Sequence, residues 1–213
     1  MKKIILTSVI ILATLISFAG NKKYFQAMKK NLTELEKAKS ATDFQSLADN
    51  FARIGEAEGD KWLPYYYEAF SLLESVFSCE GKADIDKVMD KAEAVLEKAR
   101  ELSPKNSEIE VLQGWIYQGR IQVDIMGRGM IYSQKAAGSF STAKEFNPDN
   151  PRIYFLTGQN VLHTPEAYGG GKKAACPYFL IAQEKYASFK PETSISPNWG
   201  SKTNNKLADG CEL

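Results

Sequence analysis

The sequence predicts an all-α protein, a solenoid of antiparallel helix pairs. The main observation is a row of a small, a large and a small residue at positions i, i+4 and i+7, which places all three on one helix stripe. In two of its three occurrences a proline follows five residues later and ends the helix. The rows are Ala92, Leu96, Ala99 and Pro104; Ala136, Phe140, Ala143 and Pro148; and Ala175, Phe179 and Ala182. Each row follows another stretch of helical periodicity, so the helices come in pairs.

An N-terminal pair of helices precedes the rows. The segment Lys22–Lys37 has apolar residues at helical spacing between lysines and glutamates, which predicts an amphipathic helix. Thr42 and Gln45 match a capping box, the pattern that opens a second helix. Because this pair lacks the row of small and large residues, we expect residues 21–60 to cap the start of the stack.

Three helix pairs are predicted within residues 61–190, followed by an irregular tail over residues 191–213. The first helices of the pairs are Trp62–Phe77, Ser107–Asp124 and Arg152–Leu162, and the second helices are Asp86–Leu102, the helix that holds Ala136–Ala143, and Ala174–Phe189. Pro177 must lie in the first turn of the last helix or kink it. Gly114 and Gly158 lie in the middle of first helices, where a glycine costs about 1 kcal/mol and therefore indicates close helix contact.

The N-terminus has the pattern of a secretory signal peptide. Two lysines precede the apolar stretch Ile4–Ile16, and Ser17 and Ala19 supply the small residues of a cleavage site. The apolar stretch is short for a membrane span, although an uncleaved anchor is the alternative. We therefore expect residues 1–20 to be removed and the protein to be periplasmic or secreted.

The charge balance excludes some classes of function. With 27 basic and 26 acidic residues the formal net charge is +1, whereas a nucleic-acid-binding protein needs a basic surface. One histidine and three scattered cysteines give no set of metal ligands. His163 lies near Glu166, but no nucleophile accompanies them, so we expect a loop histidine and no catalytic residues, metal or cofactor.

The three cysteines leave the disulfide pattern open. An oxidising compartment permits one disulfide among Cys79, Cys176 and Cys211 and leaves one thiol over. Cys176 and Cys211 are the favoured pair, because a crosslink to the tail needs only a short fold-back. The absence of any disulfide is an equal alternative.

The helix pairs of residues 61–189 resemble the tetratricopeptide repeat (TPR) family. In that family a small residue on the first helix, an Ala–aromatic–Ala row on the second and a closing proline define each unit. This chain departs from the pattern, since it lacks the first-helix tryptophan and the third unit lacks the closing proline. The segment PEAYGGGKKAACPYF also resembles periplasmic bacterial repeat proteins, including the repeat component associated with some tripartite solute transporters. The resemblance implies a right-handed solenoid whose first helices line a concave face.

The spacing within each pair is longer than in the family. From the first-helix small residue to the second-helix alanine the family has about 12 residues, whereas here the intervals Ala69–Ala92, Gly114–Ala136 and Gly158–Ala175 are all longer. We expect the extra residues to form loops between the two helices of a pair. Such loops project from the same edge of a solenoid and often form a binding surface.

A candidate partner-binding patch lies on two of these loops. The loop Asp124–Ser133 carries Met and aromatic residues, which suit adaptable protein contacts, although it can also fold back on its own helices. The glycines Gly169–Gly171 are typical of a turn with positive φ; exposed backbone N–H groups for an anion are the alternative. The predicted partner-binding residues are Met126, Arg128, Met130, Tyr132, Tyr168 and Gly170.

A second candidate site is the concave groove that the TPR resemblance implies. The residues expected to point into it are Tyr66, Phe70, Trp115, Phe155 and Gln159. An aromatic groove can hold an extended peptide or a small apolar ligand. Equally, the N-terminal helix or the tail around Trp199 can fill it, because aromatic residues at this density need covering.

Together these patterns predict a non-catalytic, exported scaffold that binds a protein or peptide in the cell envelope. The alternative is a small-ligand-binding accessory protein of a solute uptake system that uses an internal groove. An apolar tunnel bounded by Trp115 and Phe155 would favour the alternative.

Overall fold

A computed structural model describes residues 21–78 and 84–211 of the 213-residue chain. Within these ranges the chain forms nine α-helices, one short 3₁₀-helix and no strand. The helices are α1 (residues 21–35), α2 (Ala41–Glu58), α3 (Trp62–Phe77), α4 (Ile85–Leu102), α5 (Ser107–Ile121), α6 (Ile125–Phe146), α7 (Pro151–His163), the 3₁₀-helix (Glu166–Tyr168), α8 (Lys172–Ser188) and α9 (Ser201–Asp209). The predicted all-α helical-repeat fold is confirmed. The predicted signal peptide and Cys79 lie outside the described residues.

The three predicted rows are buried in the core between helices. Every alanine of the rows has no exposed surface, and the large residues at their centres are almost fully buried. Two of the large residues fill the space over a glycine. A Cβ atom built on Gly114 would lie 2.2 Å from Phe140 Cε1, and one on Gly158 would lie 2.6 Å from Phe179 Cε1. These glycines are therefore required by close packing.

Several helix ends are set by side-chain caps. Asn150 accepts a hydrogen bond from the Arg152 N–H at the start of α7, and Pro151 takes the first helical position. The capping box of α2 is formed by Ser40 and Asp43, so the predicted pattern at Thr42 and Gln45 is wrong by two residues. Pro177 lies inside α8, beyond its first turn, because the helix begins at Lys172, two residues earlier than expected.

The predicted loop Asp124–Ser133 is wrong, since α6 begins at Ile125. Asp124 caps this helix by accepting a hydrogen bond from the Gly127 N–H at 2.9 Å. The extra residues of the second pair therefore lengthen a helix, and only three residues connect α5 to α6. The other two insertions fall between helices: α3 ends at Phe77 and α4 begins at Ile85, and residues 164–171 connect α7 to α8.

The tail is irregular only in its first part. Residues 189–200 contain no helix, as expected, but Ser201–Asp209 form α9 and pack against α8. A disulfide joins Cys176 of α8 to Cys211 and so holds the end of the chain on the last helix pair. This is the favoured of the two alternatives left open by the sequence.

The antiparallel pairs give the solenoid two different edges. The connections within pairs, which include residues 122–124 and 164–171, lie on one edge, and the connections between pairs lie on the other. None of the helices in the described part of the chain is both long and apolar enough for a membrane crossing.

Candidate functional site

A continuous stripe of side chains lies on the side of α3 that was expected to line the concave groove. Tyr66, Phe70, Glu74 and Phe77 follow one another at helical spacing, so they share one side of the helix. The Trp115 ring of α5 lies 5.7 Å from the rings of both Phe70 and Phe77, measured between centroids. Glu74 lies between these two phenylalanines in the stripe, so its side chain leaves α3 on the side that faces Trp115.

Trp199 from the tail occupies the part of this groove next to Tyr66, Phe70 and Trp115. Its indole stacks on Trp115 with a centroid distance of 4.9 Å and lies 5.4 Å from the Phe70 ring. The indole Nε1–H donates a hydrogen bond to the Tyr66 hydroxyl at 2.8 Å. The next residue, Gly200, packs against Phe155, since a Cβ atom there would lie 3.3 Å from Phe155 Cδ1.

The tail segment, residues 191–200, is held in place by polar contacts to buried side chains. The Tyr67 hydroxyl donates a hydrogen bond to the Ile195 carbonyl at 3.0 Å, and the Arg152 guanidinium donates to the Pro197 carbonyl. Arg152 is fully buried, lies over the Trp199 ring and pairs with Glu108 at 3.2 Å between Nε and Oε2. Burial raises the pKa of Glu108 to about 7, although Arg152 acts in the opposite direction.

Four of the five predicted groove residues therefore contact the tail. Tyr66, Phe70 and Trp115 meet Trp199, and Phe155 meets Gly200, while Gln159 lies half-buried one turn further along α7. The sequence left open whether the groove is open or filled, and the tail fills this part of it.

The other end of the groove remains partly open. Phe77 is 38% exposed, although one aromatic partner, Trp115, stacks on it. Glu74, one turn before it, is half-buried, and this burial raises the pKa of its carboxyl group to about 7. We call the surface around Glu74, Phe77 and Trp115 the open end of the groove.

Large apolar side chains are exposed around the connections within pairs. Met126 is 94% exposed, Met130 is 64% exposed and Tyr168 is 73% exposed. We call this set the apolar edge; its members are Phe77, Val123, Ile125, Met126, Met130, Ile131 and Tyr168. Such a set of exposed apolar side chains is a candidate interaction surface.

The remaining predicted partner-binding residues have structural contacts. Arg128 makes two hydrogen bonds to the Asp86 carboxylate, at 2.7 and 2.9 Å, which lower the pKa of Asp86 and join α6 to α4. Tyr132 is half-buried beside Tyr117, with Lys135 over its ring. Gly170 cannot carry a side chain, because a Cβ atom would lie 2.0 Å from the Thr164 carbonyl oxygen.

The glycine turn matches the simpler interpretation, whereas the single histidine ends a helix instead of lying in the expected loop. Gly169 and Gly171 have φ values of 82° and 91°, which only glycine adopts readily, and they connect the 3₁₀-helix to α8. His163 is exposed at the end of α7. Within residues 21–78 and 84–211 no group of three His, Cys, Asp or Glu side chains is arranged to hold a metal ion.

The opposite edge contains a polar cleft of about 730 Å³ between the connections that join successive pairs. Its asparagines are engaged in the fold: Asn106 caps α5, Asn150 caps α7 and Asn147 accepts a hydrogen bond from the Asp149 N–H. Lys185 in the same cleft pairs with Asp149 at 2.9 Å. These contacts indicate a structural role for the polar groups of this cleft.

Sequence reasoning missed Glu74 and Arg152. Glu74 could have been found, because its spacing from Phe70 and Phe77 places a carboxylate on an aromatic stripe. Arg152 gave no such signal, since it follows a proline at a helix start, where a charged residue is normally solvated.

Comparisons with known proteins relate the chain to solved structures. No protein-family model and no curated protein matches it. Among solved structures, the chain is similar to TTC0263, a thermophilic TPR protein in Thermus thermophilus, with a TM-score of 0.51 and 15% identity over 80% of this chain and 87% of that one. This similarity concerns the fold alone.

A stronger similarity is to the HusA haemophore from Porphyromonas gingivalis. The TM-score is 0.80 and the identity is 30%, and the match covers 89% of this chain and 96% of that chain. Both chains are thus matched over almost their whole length. The chain therefore belongs to the same family as the HusA haemophore.

Proposed function

We propose that this chain is an exported, non-catalytic binding scaffold that captures haem or a similar flat, apolar ligand. The observation that carries the proposal is the 30% identity to a haemophore over 89% of the chain. Export is proposed from the signal-peptide pattern in residues 1–20.

The apolar edge and the open end of the groove are the proposed ligand site. Flat macrocycles bind through apolar and aromatic contacts, and Phe77 offers a partly exposed ring next to Trp115. The exposed thioethers of Met126 and Met130 lie one helical turn apart on the same face of α6, where they can adapt to a ligand surface. A tunnel between Trp115 and Phe155 is not part of the proposal, because Trp199 and Gly200 occupy that space.

A titration of the purified protein with haem tests this proposal. In the double variant Met126→Ala and Met130→Ala we expect the affinity for haem, measured by absorbance, to fall about tenfold or more, because two apolar contacts are lost. The free energy of unfolding in urea should change by less than about 0.5 kcal/mol, because both side chains are exposed.

Ile181→Ala is the matched control, because Ile181 is an exposed apolar residue in the middle of α8, away from the apolar edge. It should leave the affinity for haem unchanged. Failure of the wild-type protein to bind haem would contradict the proposed function, and an unchanged affinity in the double variant would contradict the proposed site.

The second candidate function is capture of a protein or peptide partner in the envelope. It is favoured by the same exposed methionines, since flexible Met-rich surfaces adapt to protein partners. A variant with Met130→Ala and Tyr132→Ala should then recover less of a partner from an envelope extract than the wild-type protein does. Equal recovery by both proteins would contradict this function.

A further inference from the structure

A carboxyl group lies at the centre of the open end of the groove. Phe70, Glu74 and Phe77 occupy positions i, i+4 and i+7 of α3, so the three side chains leave the helix in the same direction. Trp115 contacts the rings on both sides of Glu74. Glu74 therefore shares this side of α3 with two phenylalanines whose rings both contact Trp115, and Phe77 remains partly exposed.

Such surroundings favour the neutral form of a carboxyl group. Transfer of a carboxylate from water to an apolar environment is unfavourable, and burial raises the pKa of Glu74 to about 7. A neutral carboxyl group has an O–H donor and still accepts hydrogen bonds, whereas a carboxylate only accepts. Between about pH 6 and pH 8 the groove therefore changes from offering a donor to carrying a negative charge.

The carboxylates that the described parts of α2 and α4 bring to this end of α3 are engaged in other contacts. On α2, Asp43 accepts hydrogen bonds from the backbone of its own helix cap. On α4, Asp86 pairs with Arg128 of α6, and Asp90 and Glu93 pair with Arg120 of α5. Asp84 caps α4 by accepting a hydrogen bond from the Lys87 N–H.

We propose that Glu74 is the polar recognition group of the ligand site, and that its neutral carboxyl group donates a hydrogen bond to a carboxylate carried by the ligand. This inference rests on the proposed function, because it specifies which flat ligands are bound. The ligand class is a flat, apolar macrocycle with acidic substituents. Ionised Glu74 repels such a ligand, so acidic conditions favour capture and alkaline conditions favour release.

The test compares haem with its dimethyl ester, in which both carboxylates are blocked. If only the neutral form of Glu74 binds haem, about nine-tenths of the protein is competent at pH 6 and about one-tenth at pH 8. The dissociation constant of haem should therefore be about tenfold larger at pH 8 than at pH 6. The ester should bind with the same affinity at both pH values.

The variant Glu74→Gln separates this role from general effects of pH. Glutamine is neutral at both pH values and can donate an N–H, so the variant should bind haem at pH 8 as tightly as at pH 6. The matched control is Glu101→Gln, because Glu101 is an exposed carboxylate at the other end of α4. It should retain the roughly tenfold pH effect of the wild-type protein.

The possible outcomes distinguish failure of the Glu74 proposal from failure of the proposed function. If the wild-type protein binds haem with the same affinity at pH 6 and pH 8, or if Glu74→Gln keeps the pH effect, the role of Glu74 is overturned and the proposed function stands. An ester that shows the same pH effect as haem also overturns it. If haem fails to bind at either pH, the proposed function itself is overturned, and the role of Glu74 with it.

Discussion

At the scale of single residues, Arg152 has a structural role that its position in the first turn of a helix does not suggest. It is fully buried and contacts the Glu108 carboxylate, the Pro197 carbonyl and the Trp199 ring. One side chain thus connects the first turns of α5 and α7 to the tail segment. A buried guanidinium stabilises such a connection only while its carboxylate partner is present.

The variant Arg152→Leu should lower the free energy of unfolding by about 3 to 5 kcal/mol, because it leaves the buried Glu108 carboxylate without its cation. Urea unfolding followed by tryptophan fluorescence measures this loss. The double variant Arg152→Leu and Glu108→Leu should be less destabilised than the sum of the two single variants. A loss below about 1 kcal/mol in Arg152→Leu would contradict this account.

The sequence could not predict these contacts of Arg152. Two residues after Asn150 and directly after Pro151, an arginine fits a solvated first turn of a helix. Its burial is decided by Pro197 and Trp199, which lie more than forty residues later in an irregular segment. Glu74 differs, because its aromatic neighbours on α3 lie within four residues of it and were visible in the sequence.

At the scale of helix pairs, packing in the second and third pairs depends on a glycine of the first helix facing a phenylalanine of the second. The Phe140 ring occupies the position where a side chain on Gly114 would begin, and Phe179 has the same relation to Gly158. Both contacts involve fully buried or nearly fully buried rings. The repeated row of small and large residues in the sequence was therefore sufficient to predict which helices pair.

Gly114→Ala should destabilise the protein by about 1 to 3 kcal/mol, because the new methyl group would lie within 2.2 Å of Phe140 and force the core to shift. Gly138→Ala is the matched control, since no atom lies within 4 Å of the position that its Cβ would take in α6. It should stabilise the protein by up to about 1 kcal/mol, because alanine is the better helix former. Thermal unfolding measures both changes, and two changes of the same sign would contradict the packing argument.

The beginning of α6 shows why part of the candidate site was predicted incorrectly. Gly127, Arg128 and Gly129 in sequence are typical of a loop, yet they form the first turns of a helix. The helix is favoured by the cap at Asp124 and by the Arg128–Asp86 pair, whose members are 42 residues apart. The cap was visible in the sequence, whereas the pairing with another helix was not.

At the scale of the whole molecule, the disulfide between Cys176 and Cys211 closes the last helix pair onto α9. Replacing both cysteines by alanine should lower the free energy of unfolding by about 3 kcal/mol, because the unfolded chain loses a crosslink across 35 residues. The melting temperature should fall by about 10 °C. Reduction should lower the melting temperature of the wild-type protein by a similar amount and leave that of the double variant unchanged; equal melting temperatures for the two oxidised proteins would contradict this role.

The contact between Tyr67 and Ile195 joins parts of the chain that are 128 residues apart. In an ordinary repeat array each unit touches only its neighbours, so terminal units can fray while the middle stays folded. Here the segment that follows the final repeat lies against α3 and Trp115. Unfolding of either the first repeat or the tail segment would therefore expose buried side chains of the middle repeats. We therefore expect cooperative, two-state melting instead of the stepwise loss of repeats that longer arrays undergo.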